Sequence, residues 1–393
     1  MFSGVVVGMK CNRCSNEDPR LFGFDGKHYY CRKCIAFGRL DQTSRPISKA
    51  GKPKTIQTAP KLKFDLTPFQ QKASNQALAA LQQGKDVFVY AAAGAGKTEM
   101  TLASICWYFA QGKKVGFAIS RRQVVLEIAK RMKEYFPHLK VIPVCQGHTT
   151  ELDGDLIVCT MHQLYRYPQT FDLLIMDEVD AFPFAGNDVL QSITNQACKG
   201  QKMMLSATPD EESLQAIENG SMEMVQLFRR PHGKPLCVPE IKKGSDWFNL
   251  ARIVMKCRSF ARKDQQVLVF VPRKKEAVLF GRLLRCLLKC RGLHSGSENK
   301  DEIMEEFYSK TCQVLFCTTL LERGITVPSV QVLVYRADHP VFTTASLIQI
   351  FGRVGRTFQD PWGTGICYCQ SVSAAMKNCC SQLRKMNESA SGA

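Results

Sequence analysis

Short runs of β-branched and aromatic residues recur along most of the chain. Each is bounded by polar or glycine-bearing turns and followed by a longer stretch with apolar positions at helical spacing. Between residues 63 and 228 the runs fall at 87–91, 115–119, 155–159, 172–176 and 202–205. From about 240 to 380 they fall at 267–271, 313–317, 330–335 and 365–369. Nearly continuous apolar runs belong to strands covered on both faces, and their alternation with helical segments predicts parallel α/β sheets. An amphipathic helix is expected after Leu66-Thr67-Pro68, reaching about Gln83. The pattern thus predicts two tandem α/β domains, 63–230 and 231–385. They are preceded by a polar linker at 46–62, rich in Ser, Thr, Lys and Pro, and followed by a frayed tail at 386–393. No apolar run approaches the roughly 20 residues that span a bilayer. Val5-Val6-Val7 is too short for a signal-peptide core, so a cytoplasmic protein is expected.

Composition adds two facts. The 393 residues carry 18 cysteines, which in that compartment are thiols or metal ligands and not disulfides. The net charge is +18, and residues 1–63 hold thirteen Lys/Arg against four Asp/Glu. Half of the excess therefore sits at the amino terminus, the electrostatic footprint of a polyanion partner or simply of a soluble basic surface.

The same basic segment contains Cys11-Asn12-Arg13-Cys14 and Cys31-Arg32-Lys33-Cys34, sixteen residues apart. Two such pairs make two knuckles and together a closed tetrahedral S₄ site, so residues 1–45 are read as a Cys₄ zinc-binding module. An iron–sulfur cluster is the competing occupant. The intervening segment reads as a hairpin turning at Asp25-Gly26, with His28 on its surface. Metal binding would supply much of the folding energy of so small a unit. The spacing of Cys367, Cys369, Cys379 and Cys380 does not suit knuckles, and these are expected to be buried thiols.

The first strand of the 63–230 block feeds Ala91-Ala92-Ala93-Gly94-Ala95-Gly96-Lys97-Thr98, and a helix is expected to follow through Met100, Leu102 and Ile105. A glycine-rich turn between strand and helix aims backbone N–H groups and a helix dipole at phosphate. Lys97 then reaches the β/γ-phosphates and the Thr98 hydroxyl Mg²⁺. The run at 172–176 ends in Asp177-Glu178-Val179-Asp180. Carboxylates at the end of a buried parallel strand sit where such sheets bind ligands, Asp177 for Mg²⁺ and Glu178 for the attacking water. The 231–385 block has no phosphate loop of its own. It offers Gln349-Ile350-Phe351-Gly352-Arg353-Val354-Gly355-Arg356, whose two arginines are expected to share one helical face.

These motifs, in this order, resemble the superfamily 2 helicases. The series comprises Gln70, the phosphate loop, Asp177 to Asp180, Ser206-Ala207-Thr208, Leu293 to Phe307, Thr318-Thr319 with Arg323-Gly324, and Gln349 to Arg356. The Cys₄ module joined to Asp177-Glu178-Val179-Asp180-Ala181-Phe182-Pro183 narrows the resemblance to the ComFA family, late-competence ATPases of naturally transformable Gram-positive bacteria. The resemblance implies two RecA-like domains closing on ATP and reopening on hydrolysis. It implies an ATP site of Gln70, Ala93, Gly94, Ala95, Gly96, Lys97 and Thr98, with Phe64 or Phe69 near the adenine. Asp177, Glu178 and Gln349 would act at metal, water and γ-phosphate, and Arg353 and Arg356 as arginine fingers. Ser206, Thr208, Arg323 and Gly324 would couple the site to movement. Ser120, Arg121, Arg122, Thr160 and Thr318 would touch nucleic acid. The implied cofactors are ATP, Mg²⁺ and Zn²⁺. The implied partners are single-stranded DNA, ComFC, DprA and the ComEC channel, at the inner face of the cell membrane, and a homo-oligomer stays open. Thr326 and Gln349 depart from the RNA-clamping branch, which carries Asp and His there, and favour directional pulling of one strand over duplex unwinding. A repair or RNA helicase, and a zinc-dependent adaptor on an inactive ATPase, are the competing readings.

Overall fold

The computed structural model describes residues 9–180, 183–319 and 330–391. By its internal contacts the chain divides into two units. One comprises residues 1–90 and 97–226, the other residues 91–96 and 227–393.

In the first unit, strands β1 (Phe22–Phe24) and β2 (Tyr29–Cys31) pair antiparallel. The turn between them is the expected one: Gly26 sits at φ +96°, and Asp25 Oδ1 accepts from the backbone N–H of Lys27 and His28. The large sheet takes β3 (Asp86–Ala91), β4 (Val115–Ile119), β5 (Val141–Val144), β6 (Leu156–Thr160), β7 (Phe171–Asp177), β8 (Cys198–Ser206) and β9 (Met222–Leu227), in the order β5-β6-β4-β7-β8-β3-β9. The pairings of β5–β6, β6–β4, β4–β7, β7–β8 and β8–β3 are parallel. Every residue of β4 and β6 is buried, which accounts for their unbroken apolar runs. Phe88, Ile157, Leu164, Tyr167, Phe171 and Ile193 share one core cluster. Each fully buried side chain of this size contributes roughly 1.5–3 kcal/mol. The helix Pro68–Gln82 begins as its sequence dictates, with Pro68 in the first turn and a capping box: Thr67 Oγ1 accepts from Gln70 N, and Gln70 Oε1 accepts from Thr67 N.

Residues 46–62 form no helix or strand, in keeping with a connecting segment, yet they are tied down along their length. Backbone N–H groups of Lys49, Ile56 and Lys61 donate to the carbonyls of Arg166, Phe109 and Tyr135. Ser48 and Thr58 bond to Thr170 and His138. The connection is a strap laid on the first unit.

In the second unit β10 (Glu240–Lys243), β11 (Val267–Phe270), β12 (Cys290–Leu293), β13 (Val314–Cys317), β14 (Gln331–Val334) and β15 (Gly365–Cys369) form a parallel sheet ordered β10-β15-β14-β11-β13-β12. The helix Lys274–Leu283 lies so close to β12 that a Cβ on Gly292 would clash with the Ala277 carbonyl oxygen. Cys367, Cys369, Cys379 and Cys380 are buried thiols, as expected, and burial holds all four above the usual thiol range. Two expectations fail here. The tail does not fray within the described residues: the helix Ala374–Ser391 extends into it, with Met386 buried and Asn387 bonding both backbone groups of Leu236. Nor do Arg353 and Arg356 share a helical face, because the helix Thr344–Phe351 stops at Gly352 and Gly355 adopts φ +63°. Among the described residues no helix is long and apolar enough to cross a membrane.

Candidate functional site

Parallel register collects the motif residues of the first unit on one edge of its sheet. Tyr90 lies opposite Ser206, Ile119 opposite both Thr160 and Asp177, and Asp177 opposite Leu205. The phosphate-loop strand, Ser120, Thr160, the Asp177–Asp180 run and Ser206 thus share the carboxyl edge, where open α/β sheets bind ligands. Lys97 begins the helix Lys97–Met100, and its Nζ lies 3.5 Å from Asp177 Oδ1. Thr98 is buried. Gly94 and Gly96 adopt φ of +80° and +86°, a conformation that carries strain for any side chain. A lysine paired with a carboxylate here can turn to an incoming phosphate and leave the carboxylate to a divalent cation. The pair fits a magnesium nucleotide.

Glu178 also stands at positive φ, +58°, where a non-glycine residue persists only if its surroundings hold it. Its N–H donates to the Leu205 carbonyl at 3.0 Å and to Asp177 Oδ1 at 2.9 Å. The sheet edge thereby turns a carboxylate out of the strand direction. Two residues on, Asp180 Oδ2 accepts from Thr208 Oγ1 at 3.2 Å, and Ser206 Oγ donates to the Thr208 carbonyl at 2.9 Å. The acidic run and the Ser206–Thr208 turn are therefore mechanically joined. Gln70 is buried and held by Thr67, whereas Phe64 is 85% exposed. Arg122 is exposed and its Nε donates to the Gln146 carbonyl; Arg121 is half-buried.

Within the second unit Gln349 and Arg353 are buried and Arg356 is half-buried, so Arg353 is no member of an exposed basic helix. Thr318 follows β13 and donates its N–H to Leu293 at 3.4 Å. Arg323, Gly324 and Thr326 lie outside the described residues, as do Ala181 and Phe182. Sequence reasoning passed over Arg230. Only 2% exposed, it donates Nε to the Ala93 carbonyl at 3.0 Å, Nη1 to Val354 and Gly355 at 2.6 and 2.7 Å, and Nη2 to Gly352 at 2.7 Å. Burial, helped by the neighbouring charge of Arg356, lowers its pKa to about 10, which still leaves it a cation at neutral pH. One guanidinium fork thus fixes both the 91–96 segment and the turn bearing Arg353 and Arg356. The only signal in the sequence is Arg229-Arg230-Pro231 closing an apolar strand.

The four amino-terminal cysteines are buried, and their sulfurs lie within 4.8 Å of one another. The Cys11–Cys34 and Cys14–Cys31 separations are both 3.7 Å. Metal–sulfur bonds of about 2.3 Å in a tetrahedron require sulfurs about 3.8 Å apart, so the donor set fits one zinc ion. His28 is exposed and outside the set. The module seats on the first unit through rings. Phe37 stacks on His162 at 6.1 Å and tilts against Tyr165 at 5.6 Å, and Arg13 lies 5.5 Å over Tyr165. Val189 packs against the cysteine core and Ser15 accepts from Gln196. His162, two residues past Thr160, thus faces the module.

Comparison with known proteins covers all three parts. Residues 4–47 match the family model of the competence protein ComFA N-terminal domain. Residues 67–217 match that of the DEAD/DEAH box helicases, and residues 250–358 that of the helicase conserved C-terminal domain. The competence protein ComFA of Streptococcus pneumoniae (strain ATCC BAA-255 / R6) is 33% identical over 97% of this chain and 90% of its own length. That of Bacillus subtilis (strain 168) is 32% identical over 96% and 86%. Among solved structures, Mss116p bound to ssRNA and AMP-PNP superposes with a TM-score of 0.59 at 18% identity, covering 77% of this chain and 69% of that one. That likeness is one of fold: two RecA-like helicase domains.

Proposed function

The chain belongs to the ComFA family of competence proteins and is a superfamily 2 helicase-like ATPase; from that premise we propose that it is a motor driven along single-stranded DNA, drawing transforming DNA into the cytoplasm. The observation that carries this reading is the shared sheet edge, where Lys97 stands 3.5 Å from Asp177 beside a strained Glu178. Lys97 neutralises the β/γ-phosphates, and Thr98 and Asp177 would hold magnesium, which would offset negative charge on the phosphates. Glu178 orients and deprotonates the attacking water. Gln70, Ala93, Gly94, Ala95 and Gly96 complete the nucleotide cradle. Gln349, Arg353 and Arg356 stabilise charge on the transferring phosphoryl group. Ser206, Thr208, Arg323 and Gly324 transmit the change of state. Ser120, Arg121, Arg122, Thr160 and Thr318 take the phosphates of one strand. Hydroxyls and guanidiniums on strand-following loops position a backbone without reading its bases. The zinc module is a seat for DNA or for the ComFC, DprA and ComEC components of the uptake machinery.

The deciding experiment measures steady-state ATP turnover with single-stranded DNA, duplex DNA and RNA at equal nucleotide concentration. Single-stranded DNA is expected to raise turnover at least tenfold above the basal rate, roughly the span of one positioning interaction. Equal turnover with and without DNA sinks the motor reading. Stronger stimulation by RNA, or unwinding of a blunt duplex, moves the chain to the RNA or repair helicases.

A further inference from the structure

The second unit displays two aromatic rings that the motif series does not use. Phe358 is 69% exposed and Trp362 56% exposed, and both lie on the loop that follows Arg356. Two exposed rings on one short loop offer π-faces that a ligand can cover. Each ring already has a cationic or imidazole neighbour on one short turn. His232 meets Phe358 edge-on at 6.0 Å, and Lys234 Nζ lies 5.4 Å from the centre of the Trp362 ring.

Both supports are rigid. The Gly233 N–H closes the turn onto the Arg230 carbonyl at 2.8 Å, and Gly233 adopts φ +75°. His232 Nε2 donates to the Gly355 carbonyl at 2.9 Å, and its Nδ1 accepts from Lys234 N at 3.1 Å. These two bonds fix the neutral tautomer and the ring plane. On the other side Gly355 is packed so closely that a Cβ would clash with the Pro361 carbonyl oxygen, and Asp360 N donates to Thr357 Oγ1 at 3.3 Å. Beneath them Arg230 bonds the carbonyls of Gly352, Val354 and Gly355. The turn and the loop that carry the rings are therefore fixed before any ligand arrives, which spares part of the ordering cost that flexible loops meet on binding.

Local charge narrows the ligand. The two segments that carry the rings and their supports, 229–234 and 356–362, hold Arg229, Lys234 and Arg356 beside the buried Arg230, against Asp360 as their one carboxylate. Flat π-faces among cations suit a flat base that carries phosphate. We infer that Phe358 and Trp362, steadied by the His232–Lys234 turn, form a nucleobase-stacking site outside the helicase motifs. The base comes from either of two sources, a mononucleotide or a DNA strand. The inference deepens the proposed function and rests on it in one respect: the ligand is a nucleotide or a single strand.

The test uses the full-length, zinc-loaded protein and the variants Phe358→Ala, Trp362→Ala, both together, and the conservative pair Phe358→Tyr and Trp362→Phe. Affinity for ADP is measured by calorimetry, and affinity for fluorescein-labelled oligo(dT) by anisotropy at fixed salt. The double alanine variant is expected to weaken at least one ligand about tenfold, the typical worth of one stacked base. The conservative variants retain it. Loss confined to ADP assigns the base to the mononucleotide, loss confined to oligo(dT) assigns it to the strand, and loss of both makes the surface shared. A second readout needs no variant at the site. With Trp107→Phe and Trp247→Phe, emission from Trp362 alone should be quenched by whichever ligand stacks. Unchanged affinities for both ligands, or unquenched emission at saturation with both, overturn the inference. A parent protein that neither hydrolyses ATP nor binds DNA would instead overturn the proposed function.

Discussion

Glu178, Arg230 and His162 each carry a charge or proton problem that the fold has solved locally, and each can be tested singly. Glu178 sits at positive φ because its N–H is taken by Leu205 and Asp177. Glu178→Gln keeps that backbone and the side-chain shape but removes the base. Turnover should fall at least about 100-fold, the scale of general-base catalysis, with ADP affinity changed less than about threefold. Single-turnover hydrolysis and calorimetry check the split, and an unchanged rate would remove Glu178 from the chemistry. Arg230 matters for stability. Arg230→Met strips four carbonyls of their shared donor and should destabilise the second unit by about 2–4 kcal/mol in denaturant melts. Arg230→Lys should recover only part, because an ammonium lacks the planar fork. His162, half-buried against Phe37, has its pKa lowered by desolvation. The unfolded chain then binds the proton first. Between the lowered folded value and the unfolded value of about 6.5, stability rises with pH, and it is lost as pH falls through that window. Melting followed from pH 7.5 to 5.5 should show a steeper loss in the parent than in His162→Phe; equal slopes would mean that the ring titrates as it does in water.

At the scale of elements, legibility follows burial. All nine apolar runs read from the sequence are strands. The four large-sheet strands without such a run are β5, β9, β10 and β12, and these are the outer strands of the two sheets. Edge strands have one unpaired side and partial solvent contact, so they need no continuous apolar run. Glu240–Lys243 and Cys290–Leu293 are short, polar or glycine-bearing accordingly. The phosphate loop, acidic run and cysteine knuckles were legible because their chemistry depends on local spacing. The end of the Thr344–Phe351 helix was not, since it depends on close packing around Gly352 and Gly355 and on Arg230, far away in sequence. The strap at 46–62 was likewise opaque, because a polar extended segment looks the same tied or loose. The zinc module is the element most open to perturbation. Its core is six buried residues, four of them the cysteines, so the metal must supply most of its order. Cys31→Ser or chelation should abolish amide protection across 9–47 and lower it at 161–166 and 188–197, where the module seats. The sheet of the second unit should keep its protection. Hydrogen exchange by mass spectrometry reads all three at once, and global loss of protection would mean that the module is integral to the whole fold.

At the scale of the whole molecule, the charge excess and the proposed strand contacts make different demands that salt can separate. Of Ser120, Arg121, Arg122, Thr160 and Thr318, only two carry charge. Two charged groups on the phosphates of a single strand give a slope of log affinity against log salt of about −1.4. The net charge of +18 and the amino-terminal excess of nine argue for a steeper one. Part of that excess is already engaged: Lys10, Arg20, Lys33 and Arg39 pair with Glu17, Asp18, Asp188, Asp25 and Asp41. Lys27, Arg32, Lys52 and Lys54 are exposed on the module and strap. If the amino terminus helps hold the strand, the full chain should show a slope well beyond −1.4. Replacing these four by Gln should flatten it by about 0.7 for each cation that had neutralised a phosphate. Oligo(dT) and a mixed sequence of equal length should bind within about threefold of each other throughout, since phosphate contacts carry no sequence information. The slope is read from anisotropy titrations at four or five salt concentrations. A full-chain slope near −1.4 that the Gln variant leaves unmoved would confine strand binding to the helicase loops and turn the basic module toward a protein partner.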